Sequence, residues 1–340
     1  MGVFSHQGAF NSDYQFSTLH KKIKSVLTAL LGCSPGDVAL IHNTAEGINF
    51  ISHGLALKAG DEVLLLEQEY PSNVYPWEHL KEKGVLLSFI PNAFTQTDFL
   101  QNFKNSITPK TKVAALSAVH WCTGMPLPLR EISSICKEHY IEFVVDISQG
   151  AGHIPICIDD WGISYCAGSA WKWLQGPLGL GILVIKKEKI PSLSHVFKGT
   201  DSVVSPKEYL PYQHELKQTV DRYVFSTPSL IDWVYVDASL SYLKKIGFDA
   251  IHSRIFALSR YLSDHLVGLG FSVLNRRFGP VESGIVVAEH GRLDSKEIVR
   301  NLKSLNIICA DRADRVRFSV HICNTFKQID KVISVLKEIV

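Results

Sequence analysis

The sequence lacks features that would assign it to several common classes of protein. Its seven cysteines include no CxxC pair, which argues against a structural zinc site, and their scatter argues against a disulfide framework. No GxGxxG motif follows the first strand–helix turn, so a hydride-transfer enzyme is a poor fit. The formal net charge is only +2 and no block of lysine and arginine stands out. We therefore expect neither a metal nor a nucleic-acid partner.

Long hydrophobic runs are missing as well. The longest, such as GILVI, are far too short to span a bilayer, so we expect no membrane association. Met1 leads directly into polar sequence without a visible signal peptide, and the scattered cysteines fit a reducing compartment. These features predict a cytoplasmic protein. The 340 residues, 46% hydrophobic and 20% charged, are ordinary for a globular enzyme with an ample core.

What is present is an alternation of helical and strand patterns up to about residue 185. The predicted strands cover 37–42, 61–67, 85–90, 112–119, 141–147, 162–168 and 180–185, and the predicted helices cover 14–32, 44–57, 74–84 and 127–141. Strands that are apolar on both faces and separated by helices indicate a mostly parallel sheet covered on both sides. The fold class is therefore α/β.

The remainder of the chain predicts a second, smaller unit. An irregular stretch over about 190–225 is followed by a helical stretch over 229–246 and then by a helix–strand–strand–helix–strand–strand–helix pattern. We therefore predict a large domain over 1–228, and a linking helix with a small C-terminal α/β domain over 229–340.

The turn HNTAEGIN, between the first strand and the next helix, indicates an anion site. Thr44 and Ala45 open that helix, where free backbone amides and the positive end of the helix dipole favour a phosphate. An ordinary N-cap threonine is the alternative.

Two segments further along carry charged residues in apolar surroundings. Asp146 ends an apolar strand, where a buried carboxylate needs a partner such as a protonated pyridine nitrogen. A strand-end aspartate that caps a turn is the alternative. In GSAWKWLQGPLGLGIL, Lys172 lies between Trp171 and Trp173, surroundings that disfavour its charge and make it a nucleophile able to form a Schiff base with an aldehyde. A lysine that extends from an amphipathic turn into solvent is the alternative.

Arg317 lies within a strand of the predicted C-terminal domain, in DRVRFSVHICNT. A guanidinium there suits bidentate binding of a substrate carboxylate. A salt bridge at the strand edge is the alternative.

In this order, the segments resemble the class V aminotransferase superfamily of pyridoxal 5'-phosphate (PLP) enzymes, from about Leu19 to the end of the chain. That superfamily includes cysteine desulfurases, selenocysteine lyases and isopenicillin N epimerase-like proteins. The resemblance implies the PLP-dependent transferase fold type I, with a seven-stranded sheet in the large domain. It also implies PLP as cofactor, an amino acid as small-molecule substrate, and a homodimer with active sites at the subunit interface.

The resemblance also implies residue roles. Lys172 is the predicted catalytic residue that carries PLP. Tyr70 is expected to stack on the cofactor, Gln149 to bind its ring hydroxyl, and Thr227 to reach the phosphate in the partner subunit. The full set of predicted cofactor-binding residues is Thr44, Ala45, Tyr70, Asp146, Gln149, Ser169, Trp171 and Thr227, and the predicted substrate-binding residues are Trp121 and Arg317.

Departures from the superfamily pattern bear on the reaction. Trp171 stands where histidine is often found, and Trp121 where desulfurases commonly have asparagine. Desulfurases carry a catalytic cysteine on a longer loop than the one near Cys309, which we interpret as a small buried hydrophobic residue. We expect an epimerase-like or C–S/β-lyase-like enzyme. Cysteine desulfurase and then aminotransferase are the alternatives, and a catalytically inactive binding or scaffold protein is the alternative of a different class.

Overall fold

The computed structural model of the chain describes residues 13–212, 214–278 and 282–340. Within them, a seven-stranded sheet has the strand order β1-β7-β6-β5-β4-β2-β3. Its strands are β1 (Val38–Ile41), β2 (Glu62–Leu66), β3 (Leu86–Ile90), β4 (Thr111–Ser117), β5 (Glu142–Asp146), β6 (Tyr165–Ser169) and β7 (Gly181–Ile185). Strand β7 runs antiparallel to the other six strands of this sheet, which are parallel to one another. The predicted mostly parallel sheet is confirmed.

Helices cover both faces of this sheet, as the apolar strands require. Val38 and Leu40 of β1 pack into one buried apolar cluster, whereas Ala39 and Ile41 pack into another on the opposite face. The helices up to this sheet's last strand are α1 (Asp13–Leu31), α2 (Thr44–Gly54), α3 (Tyr75–Glu78), α4 (Gln96–Ser106), α5 (Leu129–Glu138) and α6 (Ile158–Trp161). None of the described helices combines the length and apolar character needed to cross a membrane.

One helix prediction in this part was wrong in detail, and one helix of three turns was not predicted. The helix predicted over 74–84 is only the short α3, after which the chain continues as a 3-10 helix over His79–Lys83 and ends at Gly84 in the left-handed region. Helix α4 was not predicted. It buries only Phe99 and Phe103, one helical turn apart, and so gives a weak apolar pattern.

The last part of the chain forms a four-stranded antiparallel sheet of order β10-β11-β9-β8. Its elements are α7 (Leu230–Ile246), α8 (Phe248–Gly268), β8 (Phe271–Val273), β9 (Ile285–His290), α9 (Ser295–Ser304), β10 (Ala310–Arg312), β11 (Arg315–Ser319) and α10 (Phe326–Ile339). The predicted order of helices and strands is confirmed. The domain boundary at 228 stays a prediction, because Ile285 and Val287 belong to the same apolar cluster as the large sheet.

Two glycines fix the start of α2 against the large sheet. A Cβ atom on Gly47 would lie 2.7 Å from the Cβ of Ala167, so α2 packs directly on β6. A Cβ on Gly181 would lie 2.9 Å from the Asn43 backbone, in the turn that precedes α2. Glycine at both positions therefore brings the amino end of α2 next to the carboxyl end of β6.

Candidate active site

Ser148 connects three predicted site residues at the carboxyl edge of the large sheet. Its hydroxyl lies 2.8 Å from the Thr44 hydroxyl and accepts a hydrogen bond from the backbone amide of Ser169 at 3.3 Å. Its own amide donates to Asp146 Oδ1 at 2.8 Å. The structure therefore joins the start of α2 to the ends of β5 and β6. Sequence analysis missed Ser148, although it lies between Asp146 and Gln149 in the same motif.

Asp146 and Lys172 are the paired charges of the site. Burial raises the pKa of Asp146, and the positive charge of Lys172 opposes that shift. Burial likewise lowers the pKa of Lys172, which Asp146 opposes and Arg317 reinforces. The Lys172 Nζ lies 5.5 Å from the Tyr70 ring centroid and 5.3 Å from that of Trp171. The lysine is thus held among aromatic rings and does not extend into solvent.

Lys172 lies in a cavity of about 240 Å³ that joins the two sheets. Its described lining consists of Gln149, Trp171, Lys172, Trp173, Arg317, Ser319 and His321. Side chains alternate along β11: Val316 and Phe318 pack in the C-terminal apolar cluster, whereas Arg317 and Ser319 reach the cavity. Sequence analysis identified Arg317 but missed Ser319 and His321.

Arg317 is a half-buried cation without a carboxylate partner among the described residues. Its Nε atom is buried with no hydrogen-bond partner there, and burial lowers its pKa to about 10. Arg315, two residues earlier on the same strand, does form such a salt bridge, with Glu289 at 2.8 Å. The guanidinium of Arg317 is therefore available to an anion in the cavity.

Tyr70 and Trp121 form an aromatic wall beside Lys172. Their rings meet edge to face with centroids 5.4 Å apart. The Trp121 indole donates to the Gln68 carbonyl at 2.7 Å, and the Arg312 guanidinium lies 5.6 Å from its ring centroid. Trp121 does not line the cavity of Lys172, so its assignment to substrate binding stays a prediction.

The buried acid Glu69 binds the backbone amide of Tyr70 and was missed by sequence analysis. It accepts hydrogen bonds from the amide and hydroxyl of Ser117 at 2.9 and 2.6 Å, and from the Tyr70 amide at 2.7 Å. Burial raises its pKa to about 7, and the nearby Asp146 charge adds to that shift. No strand pattern signals this contact, because Glu69 follows β2 at a turn.

Gln149 is held by a layer of rings behind the cavity. The Trp173 indole donates to Gln149 Oε1 at 3.0 Å, and the ring stacks on His153 with centroids 3.8 Å apart. His153 bonds the Gln149 carbonyl through Nδ1 at 2.6 Å, and its Nε2 accepts from the Gly284 amide at 2.5 Å. Trp173 also stacks with His321, with ring centroids 5.4 Å apart.

The remaining predicted residues lie outside this cavity. Ala45 occupies the first turn of α2, half-buried. Thr227 is exposed and lines a different cavity together with His42, Glu46 and Gly179. The structure therefore does not bring Thr227 to Lys172 within one chain, and its assignment to a partner subunit stays a prediction.

Cys309 lies directly before β10 and packs half-buried against the C-terminal apolar cluster. Burial raises its pKa to about 11. Its interpretation as a small hydrophobic residue agrees with these surroundings.

The residues at the sheet edge fit the chemistry of a phosphorylated pyridine aldehyde. The Ser169 hydroxyl is buried without a hydrogen-bond partner among the described residues, and it lies beside the amino end of α2. Such an end binds phosphate, a buried carboxylate suits a pyridinium, and a lysine with a lowered pKa suits an aldehyde. The fold and this edge define a PLP-dependent enzyme of fold type I.

The chain belongs to the aminotransferase class-V family, whose model matches residues 3–332. It is 24% identical to a probable cysteine desulfurase of Pyrococcus abyssi, over 98% of this chain and 86% of the relative. It resembles the solved structure of the cystine C–S lyase C-DES with a TM-score of 0.91 at 22% identity, covering 98% of this chain and 91% of the lyase. A cysteine desulfurase from Thermococcus onnurineus gives a TM-score of 0.86 at 21% identity, covering 98% and 87%.

These comparisons confirm the fold class and the family expected from the sequence. At these identities the solved structures show a shared fold. A variant of C-DES is recorded with glycine covalently linked to its PLP cofactor. Together with the family match, this makes PLP the cofactor of the present enzyme.

The His153 contacts predict a pH dependence of stability. Because the folded-state pKa is lowered from 6.5 to about 3, the unfolded chain binds the extra proton between these values. The free energy of unfolding therefore falls as the pH decreases through this window. We expect His153→Leu to be less stable than the wild type at pH 7, because two backbone groups lose their partner. Between pH 6 and 4, the free energy of unfolding of this variant should nevertheless fall less steeply than that of the wild type. The two slopes should differ by up to about 1.4 kcal/mol per pH unit.

The measurement is urea unfolding of both proteins at several pH values. Glu69 and the other buried groups are present in both proteins, so the difference between the two slopes isolates His153. Parallel slopes would contradict the prediction.

Proposed function

We propose that this PLP enzyme acts on an amino acid as a C–S/β-lyase-like or epimerase-like member of its family. The observation that carries the proposal is the composition of the Lys172–Arg317 cavity. None of the described residues that line it is a cysteine. A desulfurase needs a thiolate that takes sulfur from the substrate, whereas elimination and epimerisation need only a base and an electron sink.

The residues of the site divide these tasks. Bound PLP supplies the electron sink for charge that develops at the substrate's α-carbon. Lys172, whose pKa is lowered by burial, is the base that takes the α-proton. Arg317 binds the substrate carboxylate. Asp146 keeps the pyridine nitrogen protonated, and Tyr70 packs against the ring.

The remaining assigned residues bind the polar groups of the cofactor. Thr44, Ala45 and Ser169 surround the phosphate, with a buried hydroxyl and the amino end of α2 as donors. Gln149 binds the ring hydroxyl. Trp171, which is 45% exposed, covers the cavity beside Lys172.

The atoms and electrons of a β-elimination balance without a thiol from the protein. Lys172 accepts the α-proton, and the C–S bond breaks with its electron pair leaving on sulfur. Water then completes the products, which are a thiol, a 2-oxo acid and ammonia. In epimerisation, water delivers a proton to the opposite face of the α-carbon, and Lys172 releases to solvent the proton that it took.

The surroundings of three cysteines support this choice over desulfuration. Burial raises the pKa of Cys122 and of Cys309 to about 11, so both thiols are protonated at neutral pH. Cys323 is exposed, two residues beyond His321, but does not line the cavity. The TM-score of 0.91 with a cystine C–S lyase supports a lyase, whereas the relatives named probable cysteine desulfurases support the alternative.

The assignment of Lys172 has a direct test. After addition of PLP and reduction with borohydride, we expect the wild-type protein to carry the cofactor covalently on the peptide that contains Lys172. In Lys172→Ala this adduct is absent, and the rate with any substrate falls by about 10²–10⁴-fold because the proton acceptor is lost. Peptide mass spectrometry and the visible spectrum measure both.

Lys189→Ala is the matched control for this test. Lys189 also lies near an aromatic ring, 5.9 Å from the Tyr165 centroid, but it pairs with Glu142 and lies outside the cavity. This variant should keep the adduct. A wild-type protein that binds no PLP would favour a scaffold protein instead.

The reaction is tested by its products with cysteine, cystine and S-substituted cysteines. We expect pyruvate and ammonia in equal amounts from a lyase, or a D-amino acid with deuterium at the α-carbon in heavy water from an epimerase. Alanine with sulfur transferred to a protein thiol would indicate a desulfurase, and a 2-oxo acid formed only with an amine acceptor would indicate an aminotransferase.

Serine variants of single cysteines give this product test its control. Turnover should be retained within about two-fold in Cys309→Ser, Cys122→Ser and Cys323→Ser if no thiol takes part. Loss of activity in one of them, together with alanine as product, would overturn the proposal.

We further propose that the enzyme is a cytoplasmic homodimer. Helix α7 exposes Ile231, Val234, Tyr235 and Tyr242, with 54–69% of each residue accessible, along one side of the helix. An apolar helix face of this kind is typical of an interface. Thr227 lies just before this helix, which supports its assignment to the partner's phosphate site.

Light scattering after size-exclusion chromatography should give twice the mass of one chain. Val234→Glu should reduce this to the monomer mass and weaken PLP binding, because Thr227 is separated from the partner's site. Tyr140→Glu is the control, since Tyr140 is 92% exposed on another part of the surface. A wild-type monomer would refute the dimer.

A further inference from the structure

The hydrogen bond between Trp173 and Gln149 determines which end of the Gln149 amide is free. An indole N–H can only donate, so the atom 3.0 Å from Trp173 Nε1 must be the amide oxygen. The Gln149 Nε2 group has no hydrogen-bond partner among the described residues, and Gln149 lines the cavity of Lys172. What Gln149 offers to the cavity is therefore a hydrogen-bond donor.

The hydrogen bonds of His153 fix its own imidazole in a single protonation state. The Gln149 carbonyl can only accept, so His153 carries its proton on Nδ1. The Gly284 amide can only donate, so Nε2 stays unprotonated. A second proton, on Nε2, would face the N–H of Gly284 and repel it. The ring that stacks on Trp173 is consequently neutral and fixed in orientation.

Trp173 also contacts the C-terminal part of the chain, which carries Arg317. Its ring stacks on His321, whose Nε2 lies 3.3 Å from the Trp173 carbonyl. The indole is thus held by two stacked rings and by the hydrogen bond from its N–H to Gln149 Oε1. Few other orientations remain for it, because only 4% of Trp173 is exposed.

We propose that Trp173 is a positioning residue that aims the Gln149 amide donor at the ring hydroxyl of the cofactor. This inference rests on the role proposed for Gln149 above. Without the indole N–H, the amide of Gln149 is free to rotate and to present its oxygen to the ring hydroxyl. Trp173 then acts on the cofactor only through Gln149.

The test compares Trp173→Phe with the wild type by titrating PLP and by following the visible spectrum against pH. Phenylalanine keeps the stacking on His153 and His321 but removes the donor. We expect the PLP dissociation constant to rise about five-fold, the effect of one hydrogen bond. The pH midpoint of the spectral change should rise by about half a unit, because the donor stabilises the anionic ring oxygen.

A double-mutant cycle separates positioning from a general structural effect. In the Gln149→Leu background, Trp173→Phe should change neither the dissociation constant nor the pH midpoint further. Gln149→Glu is the matched variant, because its carboxylate still accepts from Trp173 but offers no donor to the ring. It should reproduce the raised midpoint with Trp173 intact. Urea unfolding of the protein without PLP records any loss of stability separately.

Two results would overturn the inference. One is an unchanged spectrum and dissociation constant in Trp173→Phe, and the other is a shift of the same size with and without Gln149. Both are distinct from a failure of the proposed function, which would appear as a wild-type protein that forms no adduct on Lys172.

Discussion

The structure depends on keeping two opposite charges buried at one edge of a sheet. Asp146 and Lys172 each have a pKa displaced toward the neutral form by burial, and each partly offsets the displacement of the other. An isolated buried charge would cost several kcal/mol, so each of the two residues reduces the cost of burying the other. The apolar strands β4, β5 and β6, covered by helices on both faces, supply the burial. The Ser148 hydrogen bonds hold Asp146 at the end of its strand.

The cavity exists because the antiparallel sheet presents its polar side chains to this edge. Alternation along β11 sends Val316 and Phe318 into their own apolar cluster and leaves Arg317 and Ser319 for the cavity. A shift of one residue in the pairing of β11 with β9 would exchange these sets. The contact of His153 with Gly284 and the stack of Trp173 on His321 join the same two parts of the chain. Arg317, which we propose binds the substrate carboxylate, and the residues proposed to bind the cofactor therefore lie on separate segments whose relative position these rings fix.

The sequence was sufficient for the features that depend on local pattern. Apolar runs predicted all seven strands of the large sheet, and an aspartate after such a run or a lysine between tryptophans stood out against its surroundings. Glu69 and Trp173 illustrate what local pattern does not contain. Glu69 follows a strand as many surface acids do, and only the fold brings Ser117 to it. Trp173 was predicted as a hydrophobic neighbour of Lys172, whereas its hydrogen bond to Gln149 spans 24 residues of sequence. Helix α4 was not predicted because it buries only two side chains, which leaves a weak apolar pattern in the sequence.

The choice among reactions depends on what lies beyond the shared machinery. The proton removal proposed for Lys172 is common to elimination and epimerisation, so the proposed roles of the site residues do not separate these two reactions. Desulfuration differs, because it requires a thiolate that reaches the sulfur on the substrate's β-carbon. Here aromatic rings surround the lysine, and burial keeps Cys122 and Cys309 protonated at neutral pH. A thiol with a pKa near 11 is a poor nucleophile, and apolar surroundings stabilise it in that form. The proposal of a lyase-like or epimerase-like enzyme over a desulfurase rests on this environment, because the described lining of the cavity offers no thiol that could accept sulfur.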